Sequence, residues 1–470
     1  MRQAIHIFRK DTRHFYREIA LVWGLAAIFS WHGMEWAGYL LFATGMFLVG
    51  RLIHDEPIPG DRQFWITRPY RWRSLLAAKL GFILLVVNAP IGLAQLAIVA
   101  QDGFPMAAQL PGLLWLQGLL MLWVWLPVAA VAAMTASGTP FIFANLALLA
   151  VGLVGTPFSL LAAVWPSGLE WIRDTVAAFA VAITAAAVLY WQYQNRSTRR
   201  HRLLAAAGLM VGLGAYWYLP WPGVFALHSR IAGSAESSAA VQVAFASSLP
   251  LTAVPAGKQE VLRIPLLVSG VPAGAEARLD AAVITVDSPG AGRWQASSFS
   301  VHSSSTKGGA VQFDGLFPMK SGFAGAVRGQ PLTLHASVYL ALFGRAREAT
   351  AAMGEHPVTV MDGLRCYRDR FGVVYCSAAF RWPRELVYTR VTEGTLNPVN
   401  SLISYSPFPA GLSLNPVETH WASGPPLSQT QVSVVVKEPL AYVRRELDAR
   451  QILVKGPGDV DWGRFSLTRQ

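Results

Sequence analysis

Residues 80–134 read LGFILLVVNAPIGLAQLAIVAQDGFPMAAQLPGLLWLQGLLMLWVWLPVAAVAAM, and from Leu80 through Ile172 there is no lysine or arginine; Asp102 and Glu170 are the only acids. A run this long cannot be one buried helix. It has to be divided into segments of about 20 apolar residues, each able to cross a hydrocarbon core roughly 30 Å thick. Extending the same criterion outward gives seven candidate spans: Ile19–Trp31, Trp36–Val49, Leu80–Ala100, Pro111–Met134, Phe141–Trp165, Thr175–Trp191 and Leu203–Tyr218. Trp31, Trp36, Trp165, Trp171, Trp191, Trp217 and Trp221 fall at span ends, where indole rings favour the membrane–water interface. The first two spans are short and separated only by residues 32–35, so they read as a tight helical hairpin.

The rest of the composition agrees. Of 470 residues, 53% are hydrophobic and 14% charged, against about a quarter charged in an ordinary soluble protein. A purely soluble, disordered or fibrous protein is excluded. The net charge of +12 divides into +7 over residues 1–218 and +5 over 219–470. In the first half it gathers in three segments. Arg2, Arg9, Lys10, Arg13 and Arg17 precede the first span; Arg51, Arg62, Arg68, Arg71, Arg73 and Lys79 lie between the second and third; Arg196, Arg199, Arg200 and Arg202 lie between the sixth and seventh. The alternate loops hold a single arginine, Arg173. The positive-inside rule then makes the N-terminus cytoplasmic, and an odd number of spans places everything after Tyr218 outside. The first span is not a cleavable signal, because a second follows at once and no small-x-small site stands after it.

After Pro222 the pattern changes to short alternating apolar runs: Val261–Val268, Ala281–Val286, Leu332–Leu342, Phe371–Phe380 and Val432–Val436. Turn signals at Gly270–Gly274, Ser288–Gly292 and Gly308–Gly309 separate them, which suggests an all-β, sandwich-like extracytoplasmic domain. The expected organisation is an interfacial helix at 1–18, a transmembrane domain at 19–221, a linker at 222–238 and the β-rich domain at 239–470. Cys366 and Cys376 flank a turn-like segment, Arg368 to Gly372. In an oxidising compartment two such thiols most simply form a structural disulfide, since a metal site needs more ligands and a redox pair favours C-x-x-C.

Motifs for enzymatic chemistry are missing. The chain has no GxxxxGK[ST], HExxH or GxSxG, no zinc-like Cys/His spacing, and ten scattered histidines. The span interiors offer only the amides Asn88, Gln95, Gln117 and Asn145. Amides can bond between helices but cannot relay protons, so an ion-driven pump is disfavoured. Asn88 before Pro90, and Thr156–Pro157, mark possible helix bends. The N-terminal segment places Ile5, Phe8, Phe15 and Ile19 at helical spacing, interrupted by Thr12, with Arg9, Arg13 and Arg17 on a second face; it reads as a basic amphipathic helix in the interface with membrane lipid. In the loop 51–79, Phe64, Trp65, Tyr70 and Trp72 alternate with arginines, a composition that suits either a protein interface or burial at lipid headgroups.

At these residues the chain resembles a known family. Asp55-x-Pro57-x-x-Gly60-Asp61-x-x-Phe64-Trp65-x-Thr67-Arg68-Pro69, followed by Arg73-x-Leu75-Leu76-x-Ala78-Lys79, is similar to the first cytoplasmic loop of ABC-2-type transporter permeases. The resemblance covers residues 1 to about 202, and its specific part is confined to roughly 55–79. It implies a multi-pass subunit of the bacterial inner membrane, working as a homodimer or heterodimer. Its loop would contain a coupling helix docked on a separate cytosolic ABC ATPase. It also implies a transport subunit that is not itself an enzyme and needs no cofactor of its own, the ATP being bound by the partner. Phe64, Trp65, Arg68 and Pro69 are the expected contacts, with Arg68 or Arg73 pairing acids on the ATPase. The seventh span and the large external domain depart from the family pattern and leave the substrate open. The modest, mixed charge of the β-rich half gives no reason to expect nucleic acid. Two readings of another class are a membrane-anchored extracytoplasmic binding module and a sensor.

Overall fold

The computed structural model describes residues 2–31, 34–55, 71–148, 150, 170–195, 198–218, 223, 226, 240–245, 251–256, 259–297, 300–305, 311–318, 323–327, 330–352, 355–361, 363–368, 374–379, 386–392, 399–404, 414–422 and 431–455. Two compact units divide the chain. One contains Met1–Leu161, Asp174–Tyr218 and Glu348–Val435; the other contains Ala162–Arg173, Leu219–Arg347 and Val436–Gln470.

The helices of the first unit are α1 (Arg2–His14), α2 (Tyr16–Ser30), α3 (Glu35–His54), α4 (Trp72–Gln101), α5 (Met106–Met134), α6 (Gly138–Leu148), α7 (Glu170–Asn195) and α8 (Thr198–Tyr218). Four of them, α3, α4, α5 and α7 from Thr175 onward, are long and apolar enough to cross a membrane. The 15-residue α2 covers the first expected span and is shorter than that length. Within the fifth, α6 covers the part that is described; residues 151–165, with Thr156–Pro157, lie outside the described residues.

Two proline sites shape α4 and α5. Proline lacks an N–H, and its ring collides with the carbonyl four residues back. At Pro90 the helix widens into a π-helical turn, Ile83–Asn88, so that the Ala89 N–H reaches Leu84 O. At Pro127 the turn Met121–Trp125 does the same, with the Leu126 N–H on Met121 O. The bend expected near Asn88 thus takes the form of an added residue per turn, a form that also re-aims side chains. Trp125 Nε1 donates to Asn88 Oδ1 at 3.0 Å, and Asn88 Nδ2 donates to the Gln117 carbonyl at 3.2 Å. Gln117 Nε2 donates to Gln95 Oε1 at 2.6 Å. Three of the four amides noted in the sequence therefore form one ladder; Asn145 instead donates to Phe141 O of its own helix. A Cβ at Gly45 of α3 would lie 2.8 Å from the Trp125 ring and 3.0 Å from Val87, so glycine lets α3 approach both π-helical turns. In the same way Gly208 and Gly212, one turn apart on α8, face Thr184 and Val181 of α7.

Between α4 and α5 the chain turns at Gly103, whose φ of +73° suits glycine. The Phe104 N–H bonds Val99 O and the Gly103 N–H bonds Ala100 O, closing the helix with a Schellman motif whose apolar Phe104 is buried.

The strands are β1 (Gln242–Phe245), β2 (Leu251–Ala256), β3 (Gln259–Ser269), β4 (Glu276–Ser288), β5 (Gly292–Ser297), β6 (Ser300–Ser305), β7 (Val311–Pro318) and β8 (Pro331–Ala352). They continue with β9 (Val358–Met361), β10 (Leu364–Arg368), β11 (Val374–Ala379), β12 (Leu386–Thr392), β13 (Val399–Ser404), β14 (Val417–Ala422) and β15 (Gln431–Lys455). The C-terminal half is thus β-rich, as its alternating runs predict. The larger sheet is ordered β5-β4-β8-β15-β2-β3-β7-β6, with β1 also on β3. Its core follows the two-residue period of a strand: Leu262, Ile264, Leu266 and Val268 of β3 and Ala282, Ile284 and Val286 of β4 are all buried, as are Leu332, Leu334, Ala336 and Val338 of β8.

The smaller sheet is β14-β11-β10-β9 and belongs to the unit that contains the helices. Cys366 of β10 lies directly opposite Cys376 of β11, and the two form a disulfide. Arg365 of β10 donates to the Asp102 carbonyl at the α4–α5 turn. Beside it, Leu414 accepts a 2.7 Å hydrogen bond from Gln95 Nε2, and Ala379, Leu414 and Val417 join the hydrophobic cluster of the helices.

Two stability changes follow. Closing a loop ten residues long, the disulfide is worth about 2–3 kcal/mol. Reductant should lower the Tm of the wild-type protein and leave a Cys366→Ser/Cys376→Ser variant, already destabilised, unmoved. Gln109 on α5 is buried, and among the described residues neither its Oε1 nor its Nε2 has a hydrogen-bond partner. Gln109→Leu should raise stability by about 1–3 kcal/mol, whereas Gln95→Leu, which orphans the Leu414 carbonyl, should lower it by a similar amount; thermal unfolding in detergent separates the two.

Candidate functional site

The helix α1 is arginine-rich yet has one acid, Asp11, flanked one turn away on each side by Ile7 and Phe15. At four-residue steps these three share a stripe, and all three are 0% exposed. The stripe packs on the start of α4. Rings of Phe8 and Phe15 meet Phe82 at centroid distances of 6.0 and 6.2 Å. At the centre of this contact Lys79 Nζ lies 2.9 Å from Asp11 Oδ2, with the lysine side chain 2% and the aspartate 0% exposed. The apolar face of α1 differs from the one expected. Ile5 is 48% exposed, and Ile19 belongs to the next helix. The face that α1 buries is set by packing on α4, so Ile7 and Asp11 replace Ile5 as its inner residues.

The same helix contacts the two described residues that flank 56–70, Asp55 and Arg71. On the incoming side, His14 Nε2 of α1 lies 3.4 Å from Asp55 Oδ1. On the outgoing side, the Arg71 N–H donates to Gln3 Oε1 at 3.3 Å. Arg51, at the end of α3, pairs with Glu18 and lies over the rings of Phe15 and Phe47 at 5.6 and 5.9 Å. Arg73 stacks on Trp72 at 5.3 Å, and the Trp72 ring meets Tyr190 of α7 edge-on at 5.1 Å. A second set of bonds ties the ends of the other helices together. His54 and Thr135 share a 3.1 Å hydrogen bond, and Arg202 donates through Nε and Nη2 to Met134 O at 3.2 and 2.9 Å. His201 pairs with Gln192.

Of the residues singled out in the sequence, the structure brings Asp55, Arg73 and Lys79 to this end of the helices. Lys79 lies inside α4 and faces Asp11; Arg73 is exposed. Pro57, Gly60, Asp61, Phe64, Trp65, Thr67, Arg68 and Pro69 lie outside the described residues. Sequence reasoning missed Asp11, His14 and Gln3. The signal for Asp11 was present, an acid with apolar residues four positions before and after it in an otherwise basic helix. No such pattern marks His14 or Gln3. Among the described residues no group of three or more His, Cys, Asp and Glu side chains is arranged to hold a metal ion.

The ion pair generates a sharp expectation. Removing one partner of a buried pair leaves the other charge without compensation, at about 3–5 kcal/mol, whereas replacing both by apolar residues is often neutral. Asp11→Asn should lower the Tm in detergent and expose α1 to protease, and Asp11→Leu with Lys79→Met should restore both. Searches against models of protein families and against curated proteins find no match to this chain.

Proposed function

We propose that this chain is the membrane permease subunit of an ATP-driven transporter, most simply an exporter, whose ATPase is a separate cytosolic protein. The observation that carries the reading is the set of contacts flanking 56–70. Asp55 and Arg71, on either side of it, both contact α1, and α1 is paired with α4 through Asp11 and Lys79. A displacement imposed on that segment therefore passes directly into a long apolar helix. A loop tethered in this way suits a docking element for a motor; a helix cluster serving only as an anchor has no use for it.

In this reading seven spans cross the bilayer, and α2, α3, α4, α5, α6, α7 and α8 belong to them. The end of α4 that begins at Trp72 is cytoplasmic, in keeping with the arginines gathered there. The opposite end, where Arg365 meets Asp102 O and Gln95 meets Leu414 O, is extracytoplasmic. That assignment agrees with the disulfide, which persists in oxidising compartments. Closure of two ATPase subunits on a permease dimer pulls the loop, and the π-helical turns of α4 and α5 give the helices places to flex. The interior offers amides and no charged side chain between Lys79 and Asp102, which favours an amphipathic or lipid-like cargo over a small ion.

The test is affinity purification from native membranes followed by ATPase assay. A nucleotide-hydrolysing protein should co-purify, and Trp65→Ala with Arg68→Ala should abolish both its association and its stimulation. Association and stimulated hydrolysis that survive the double substitution would remove the coupling role.

A further inference from the structure

A small cleft opens beside the end of α2 and the start of α3, closed on one side by Leu414 and Asn415. Its volume is about 120 Å³, and its remaining lining is largely aromatic: Phe29, Tyr39 and Phe42, with the acidic residue Glu35. Glu35, Tyr39 and Phe42 fall at i, i+4 and i+7 on α3, so the acid and two of the rings share one helix face. Phe29 is 1% exposed and forms the deep part, whereas Tyr39 is 71% exposed and stands at the mouth. Between them Gly38 carries no side chain; a Cβ there would lie 3.0 Å from Phe29 Cε2 and push the ring from its place.

The chemistry of this lining is selective. Aromatic faces attract cations, and most strongly those whose charge is spread over an apolar shell. Glu35 supplies one full negative charge, and among the described residues no cation pairs with it; residues 18–50 contain no lysine or arginine at all. A hard metal ion needs several oxygen ligands, and among the described lining residues only Glu35, Tyr39 and Asn415 have side-chain oxygen. An anion would be repelled by Glu35. We propose that this cleft binds the quaternary ammonium headgroup of an amphiphile, with the headgroup against Phe29, Tyr39 and Phe42 and its charge balanced by Glu35. Leu414 and Asn415 close the site, so the ligand touches a segment more than 300 residues distant in sequence. The proposal stands apart from the ATPase reading, because binding at the cleft needs no motor.

The experiment uses the full chain in a maltoside detergent and titrates hexyltrimethylammonium by calorimetry, with its neutral carbon isostere and hexane-1-sulfonate as comparators. Saturable binding of the cation alone is expected. Glu35→Gln should weaken it about tenfold, the order expected for losing one nearby opposite charge at a surface. Tyr39→Leu should weaken it about fivefold and Tyr39→Phe leave it nearly unchanged, because the ring face is what binds. Both positions are exposed, so these variants keep the fold, which an unaltered Tm verifies. Choline phospholipid added as competitor distinguishes the source: displacement of the probe identifies a lipid headgroup, and a probe that stays bound identifies a free cationic amphiphile, either result being an ammonium site. Equal binding of the neutral isostere or the sulfonate, or an affinity untouched by Glu35→Gln, overturns the proposal.

Discussion

Where side chains are apolar and water is absent, each backbone and amide group must find its partner inside the protein, and the cost of failing is several kcal/mol. Pro90 and Pro127 each withhold one N–H from the long helices α4 and α5. The response is local, a single π-helical turn at each site, but its effects spread. The widened turns set Asn88 against Trp125; Asn88 then reaches the Gln117 carbonyl, Gln117 reaches Gln95, and Gln95 reaches Leu414. Helix shape, the glycine at position 45 and the attachment point of residues 414–417 are thus consequences of one requirement. Bonds in such a chain polarise one another, so the ladder behaves as a unit more than as four separate contacts.

The other end of α4 solves a different problem with a different group. A buried ion pair gains little over well-packed apolar residues of the same size, because desolvating two charges cancels most of their attraction. Its value at Asp11 and Lys79 lies in placement. An apolar helix face can slide by a turn along its partner with little change in energy, but a buried lysine tolerates only the register that brings its aspartate to it. The amide ladder and the ion pair therefore fix opposite ends of the same helix, one by neutral bonds and one by charge.

Much of this was legible in the amino-acid sequence. The stretch without a basic side chain from Leu80 marks α4 and α5, and the two-residue alternation after Pro222 marks β3, β4 and β8. The turn signal at Ser288–Gly292 coincides with the β4–β5 hairpin, where the two residues face each other in register. The cysteines read as a pair because they flank a turn. What the sequence concealed depends on partners remote along the chain. Pro90 announces a disturbance, but the sequence alone does not say that it takes the form of a π-helical turn or that Asn88 there meets Trp125. Gln109 was passed over because the span was drawn from Pro111, whereas α5 begins at Met106. Leu414 has no local feature to distinguish it, since its role lies in a backbone carbonyl. At the candidate site the visible aromatic–arginine pattern drew attention to 51–79, while the residues that contact its described flanks sit on α1, and the buried Asp11 there belongs to no motif.

The bond from Gln95 to Leu414 also has a bearing on how the protein is made. Lys79 and Asp11 are 68 positions apart, so their partners emerge from the ribosome nearly together. The amide of Gln95 must wait for a carbonyl 319 positions later, a delay of roughly 15–60 s at about 5–20 residues synthesised per second. Through that interval one end of the helix bundle is an unfinished surface, its amide uncapped and its apolar rim bare. The nascent chain must be shielded there by lipid, by a chaperone or by the translocation machinery until residues 414–417 arrive to complete it.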